Sequence, residues 1–172
     1  MKSIRILPVL IAVSFATAHA DESKLVDASD PKRIATLLQD EGYKAKIDVD
    51  EDGKITINSA ANGADFQIYF QACSNGATEC EILAFSAGFD LNQAVNRSLI
   101  SDWNRTRWSK SYRDDEGDPF LEFNVNAVHG VSEENFRDTL NWYTRELGEF
   151  VDLIGWNEPK QRESTGLSVE PI

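Results

Sequence analysis

Apolar and polar positions alternate along one stretch of this chain and recur every three or four residues along others. In residues 44–50, Ala45, Ile47 and Val49 alternate with Lys44, Lys46, Asp48 and Asp50. Past the turn Glu51-Asp52-Gly53 the alternation resumes at Ile55 and Ile57, and past Asn62-Gly63 at Phe66, Ile68, Phe70 and Ala72. Residues 79–87 form a fourth run. Period two, broken by turn residues, predicts an antiparallel meander with one buried face.

Helical spacing brackets these runs. Asp30-Pro31 supplies a cap and a first-turn proline, Ile34, Leu37 and Leu38 form an apolar stripe, and Gly42 ends the helix. Leu91, Val95, Leu99 and Trp103 recur every four residues and predict a helix opening at Asp90, with Gln93 completing a capping box. Residues 108–113 read as a strand, 114–119 as an acidic turn, and 120–128 as a strand whose apolar set is Leu121, Phe123, Val125 and Ala127. Ser132 caps a last helix, with Glu133 and Glu134 in its first turn. Its apolar face runs through Phe136, Leu140, Tyr143, Leu147 and Ile154, and Gly155 begins its end.

The order is helix, four strands, helix, two strands, helix. It predicts an α+β domain in which a four-strand meander and a two-strand hairpin pack with three helices. The domain is expected over residues 30–156, after a loose segment at 21–29 and before a disordered tail at 157–172 that carries Pro159 and Pro171.

The first twenty residues change the picture of where the domain works. Lys2 and Arg5 precede an apolar run over residues 6–18, and Ala18-His19-Ala20 places small residues at a cleavage site. That order predicts a secretory signal peptide cut after Ala20, hence a periplasmic or secreted protein. No later stretch is apolar for long enough to cross a bilayer as a helix. Without Lys2 and Arg5, 15 basic residues face 29 acids, a net charge of −14. Such a surface repels nucleic acid and anionic lipid.

Cys73 and Cys80 are the two cysteines, and in an oxidising compartment they predict a disulfide. Six residues separate them, which suits a staple across a hairpin more than a redox pair. Closing so small a loop stabilises by about 2 kcal/mol. Pairing Cys73 across from Cys80 sets Phe70 opposite Leu83 and Ile68 opposite Phe85, so the staple and the apolar pattern specify one register.

Three places offer chemistry. Asp48, Asp50 and Asp52, followed by Gly53 and Ile55, fit the first eight positions of a calcium-binding loop. Ser59 stands where that loop needs a bidentate glutamate, and the flanks have strand periodicity, which favours a charged hairpin. His129 is the one histidine after cleavage, so a histidine metal site is not expected. A hydrolase would have to use it, with Ser132 nearby but placed as a helix cap. No G-x-S-x-G, phosphate-loop or dinucleotide glycine pattern occurs, so no cofactor is expected. Last, Trp103-Asn104-Arg105-Thr106-Arg107-Trp108 puts two indoles and two guanidiniums together in an acidic chain. It reads as a helix end with Arg stacked on Trp, and also as a patch for a protein partner through Trp103, Asn104, Arg107 and Trp108.

Ile100-Ser101-Asp102-Trp103-Asn104-Arg105-Thr106-Arg107-Trp108, followed by Tyr112, Gly117-Asp118, Leu121-Glu122 and Gly130-Val131-Ser132, resembles the YbjN family of bacterial sensory transduction regulators. Trp103-Asn104, Arg107-Trp108 and Gly130-Val131-Ser132 carry the resemblance. His129, Ser101 and Asn124 depart from it, standing where a glycine, an asparagine and an acid are usual. The resemblance covers about residues 30–156. It implies a fold similar to type III secretion chaperones, often dimeric and acidic, and it does not imply an enzyme. The expectation is an exported, non-enzymatic regulatory or chaperone-like module that holds a protein partner and that could form a homodimer. A calcium-responsive protein using Asp48, Asp50 and Asp52 is the alternative.

Overall fold

The structure is a computed structural model and describes residues 25–74 and 79–158. The expected signal peptide and nearly all of the expected tail lie outside the described residues. Eleven elements follow one another: β1 (Leu25–Val26), α1 (Pro31–Asp40), β2 (Lys46–Val49), β3 (Ile55–Ala61), β4 (Ala64–Gln71), β5 (Ile82–Gly88), α2 (Arg97–Thr106), β6 (Lys110–Arg113), β7 (Pro119–Asn126), β8 (Val131–Ser132) and α3 (Glu133–Ile154). The α+β class holds, with the meander and the hairpin joined. Strands β2-β3-β4-β5-β7-β6 form one antiparallel six-stranded sheet, and β7 docks on β5.

The register follows from the side chains. Ile68 opposes Phe85 and Phe70 opposes Leu83, with Cys73 and Cys80 bonded just beyond. Ile57, Phe66, Ile68, Leu83, Phe85 and Leu121 are fully buried on the face that meets the helices. Across them lies α3, which contributes Phe136, Leu140, Tyr143, Leu147 and Phe150. Tyr143 meets Phe66 and Phe85 at centroid distances of 5.2 and 5.0 Å. The helix starts at Ser132, whose hydroxyl accepts from Asn135 N, and stops at Gly155, whose φ of 70° is a left-handed cap that glycine adopts without strain.

Two expectations need correction. The second helix begins at Arg97, capped by Asn96, and not at Asp90. Leu91 and Val95 are buried all the same, held in an irregular segment. Asp118 accepts from Leu91 N at 3.1 Å, and the Arg113 guanidinium donates to Val95 O. The Arg113 guanidinium thus occupies a carbonyl that a helix through this segment would have used, while Asp118 holds the Leu91 N–H in place from outside. The segment before Asp30 is not loose over its described part. β1 pairs with β8, Val26 opposite Val131, and Val26 and Ala28 are buried in the core.

Candidate functional site

The Trp103–Trp108 segment links α2 to the edge strand β6, and the structure gives each residue in it a separate task. Trp103 is buried, its ring edge-on to Phe150 at 5.0 Å and its indole N–H donating to Ser109 Oγ at 3.1 Å. Asn104 reaches the outer edge of the sheet. Its amide donates to Ser111 O at 2.9 Å and accepts from Ser111 N at 2.7 Å. A side chain thus completes main-chain hydrogen bonds that a further strand would have made. Arg107 lies over the Trp103 ring at 5.3 Å and pairs with Glu149 of α3 at 2.8 Å. Of the four residues expected to bind a partner, Trp103 and Asn104 therefore serve the fold.

Trp108 is different. It is 76 % exposed, the most open of the large apolar side chains described. It precedes β6 and does not begin it, contrary to the strand expected from Trp108. Its main chain is nevertheless fixed. The buried Glu146 carboxylate accepts from Trp108 N at 3.2 Å and from Ser109 N at 2.7 Å. Beside it stands Trp142 of α3, with ring centroids 6.1 Å apart and Arg145 over the Trp142 ring at 5.8 Å. The two indoles form a ridge. Next to the ridge, Leu99, Asp102, Thr106, Arg107, Glu149 and Leu153 line a groove of about 490 Å³ between α2 and α3. Leu153 is 44 % exposed there. Aromatic and aliphatic surface held by internally paired charges suits a protein contact.

Glu146, Trp142 and Glu149 were not found from sequence. Trp142 left a usable signal, because it falls beside Tyr143 and off the apolar stripe of an amphipathic helix. A tryptophan on the polar side of such a helix is open to water. Glu146 left none: an acid on a helix looks like solvent-facing charge.

The calcium expectation is not supported. Asp48 accepts from Asn58 Nδ2 at 2.5 Å and pairs with Lys46 at 2.7 Å. Asp50 Oδ1 accepts from Asp52 N and Lys54 N and so shapes the turn. Among the described residues no group of three or more His, Cys, Asp or Glu side chains is placed to hold a metal ion. The acidic turn after β6 works in the same way, with Asp114 Oδ1 accepting from Glu116 N, Gly117 N and Asp118 N. His129 is exposed in a turn at a φ of 63°, and Ser132 Oγ is taken up by the α3 cap. Among the described residues no hydrogen bond joins His129 to Ser132.

The model of the YbjN family, described as "Putative bacterial sensory transduction regulator", matches residues 30–156. The crystal structure of YbjN from E. coli, there called "a putative transcription regulator", shares the fold with a TM-score of 0.55. The two are 14% identical, and the match covers 77% of this chain and 95% of that one. No curated protein matches the sequence. The family match takes in every element from α1 to the end of α3, and with them Trp103, Asn104, Arg107, Trp108 and Trp142. The chain belongs to the YbjN family of bacterial regulators.

Proposed function

We propose that this protein is an exported, non-enzymatic regulatory module that holds a protein partner on the Trp108–Trp142 ridge. The observation that carries this reading is the exposure of Trp108 on a main chain fixed by Glu146. An indole held in place loses little freedom on binding, which is why rigid aromatics dominate protein contacts. The adjoining groove adds apolar surface at Leu99 and Leu153, while the pairs Arg107–Glu149 and Asp102–Arg105 leave little uncompensated charge to desolvate. Export rests on the order of charge, apolar run and small residues before Asp21.

The test is reversible crosslinking of the mature protein in its own compartment, with partners identified by mass. The double substitution Trp108→Ser, Trp142→Ser should abolish capture of the main partner and leave circular dichroism unchanged. Capture that survives it would place the partner elsewhere. The amino terminus of the recovered protein should be Asp21; retention of Met1 would remove the export half of the reading.

A further inference from the structure

Strand β2 stands at one edge of the six-stranded sheet. Asp50 N donates to Lys54 O across the hairpin at 3.0 Å, so the Asp50 main chain faces β3. Antiparallel alternation turns Asp48 and Lys46 the same way. Residues 45, 47 and 49 therefore direct their N–H and C=O groups out of the sheet. Among the described residues, the side chain that reaches them is Gln39, which donates to Ala45 O at 3.3 Å. Val49 is 62 % exposed.

The strand and its flanks read Lys44-Ala45-Lys46-Ile47-Asp48-Val49-Asp50. The charge pattern inverts about Ile47. Lys46 mirrors Asp48, Lys44 mirrors Asp50, and apolar residues occupy every position between. An antiparallel second copy centred on Ile47 would set Lys46 of each chain opposite Asp48 of the other. It would pair Ala45 with Val49 and Ile47 with Ile47, keeping apolar residues on the helix-covered face. The outward main-chain groups of residues 45, 47 and 49 would meet their counterparts. Sliding one copy by two residues either way brings Lys46 against Lys46 or Asp48 against Asp48, and like charges directly opposite are destabilising.

We propose that β2 pairs with β2 of a second copy about a two-fold axis, joining two six-stranded sheets into one. The contact is isologous, the same strand on both sides, and so closes at two copies. It covers Val49, satisfies the edge, and replaces the Gln39 bond to Ala45 O with a strand bond. It also gives Asp48 and Asp50 a task that their likeness to a calcium loop concealed. The acidic surface elsewhere repels a second copy, so the balanced charge of this strand selects where two copies can meet.

Sedimentation equilibrium of the mature chain tests the proposal. The wild type should dimerise. Lys46→Asp and Asp48→Lys each put like charges across the axis and should weaken dimerisation about tenfold or more. An equal mixture of the two variants restores opposite charges and should regain wild-type association, as should the double variant carrying both. That rescue separates lost pairing from lost fold. In the wild type itself, exchange of the Ile47 and Val49 amide hydrogens should slow as protein concentration rises. A monomeric wild type, single variants that dimerise like the wild type, or exchange independent of concentration would each overturn the proposal.

Discussion

Tyr143 sits at the centre of the core, fully buried, yet its hydroxyl finds no hydrogen-bond partner among the described residues. Burial pushes its ionisation far above the usual tyrosine value. A buried, unpaired hydroxyl costs about 1–3 kcal/mol. Tyr143→Phe keeps the ring contacts with Phe66 and Phe85 and removes that cost, so it should raise stability by about 1 kcal/mol in a denaturant melt. Tyr112 behaves differently. Burial, followed by its hydrogen bond to Glu122 at 2.9 Å, raises its pKa from 10.0 to about 12. The folded state holds this proton more tightly than the unfolded chain. Its contribution is therefore complete below pH 10 and is lost as pH rises toward 12. Tyr112→Phe preserves the stack on Phe120 and should show a shallower loss of stability over that interval.

Between elements, Asn104 is the residue whose loss should be felt furthest. Asn104→Ala strands the N–H and C=O of Ser111 at the end of the sheet. The cost expected is about 2 kcal/mol, with a rise in light scattering as the opened edge pairs between molecules. The strands were legible from sequence because period-two alternation has one structural solution, and the Cys73–Cys80 staple agrees with it at Phe70 and Leu83. The start of α2 was not legible. A spacing of four at Leu91 and Val95 is also met by an irregular segment that Asp118 and Arg113 hold from outside. The layout of the Trp103–Trp108 segment was half legible. Indoles and guanidiniums marked the segment, but identity alone does not tell that Trp103 turns inward and Trp108 outward. That depends on Glu146, 38 residues away from Trp108 in sequence.

The molecule as a whole begins earlier than its periodicity suggests. β1 is two residues long and offers no pattern to read, yet it places Val26 in the core and closes over the start of α3. A chain shortened to begin at Asp30 should lose about 2 kcal/mol, the worth of one buried valine, and melt correspondingly earlier. The layers divide the surface. Helices cover one face of the sheet, the indole ridge lies where α3 meets the loop into β6, and the opposite edge carries the charge-inverted strand. A partner on the ridge and a second copy on β2 would occupy opposite edges of the sheet.

The uneven shelter of the tryptophans also makes the protein its own optical probe. Trp103 is 4 % exposed, whereas Trp108 and Trp142 are 76 % and 38 % exposed. A collisional quencher in solution should darken the two ridge indoles most, the half-buried Trp156 less and Trp103 least, splitting the intrinsic fluorescence of the four tryptophans into more and less accessible fractions. Occupation of the ridge would shrink the accessible fraction, and loosening of the core would enlarge it. One unlabelled sample would thus report binding and unfolding as changes of opposite sign.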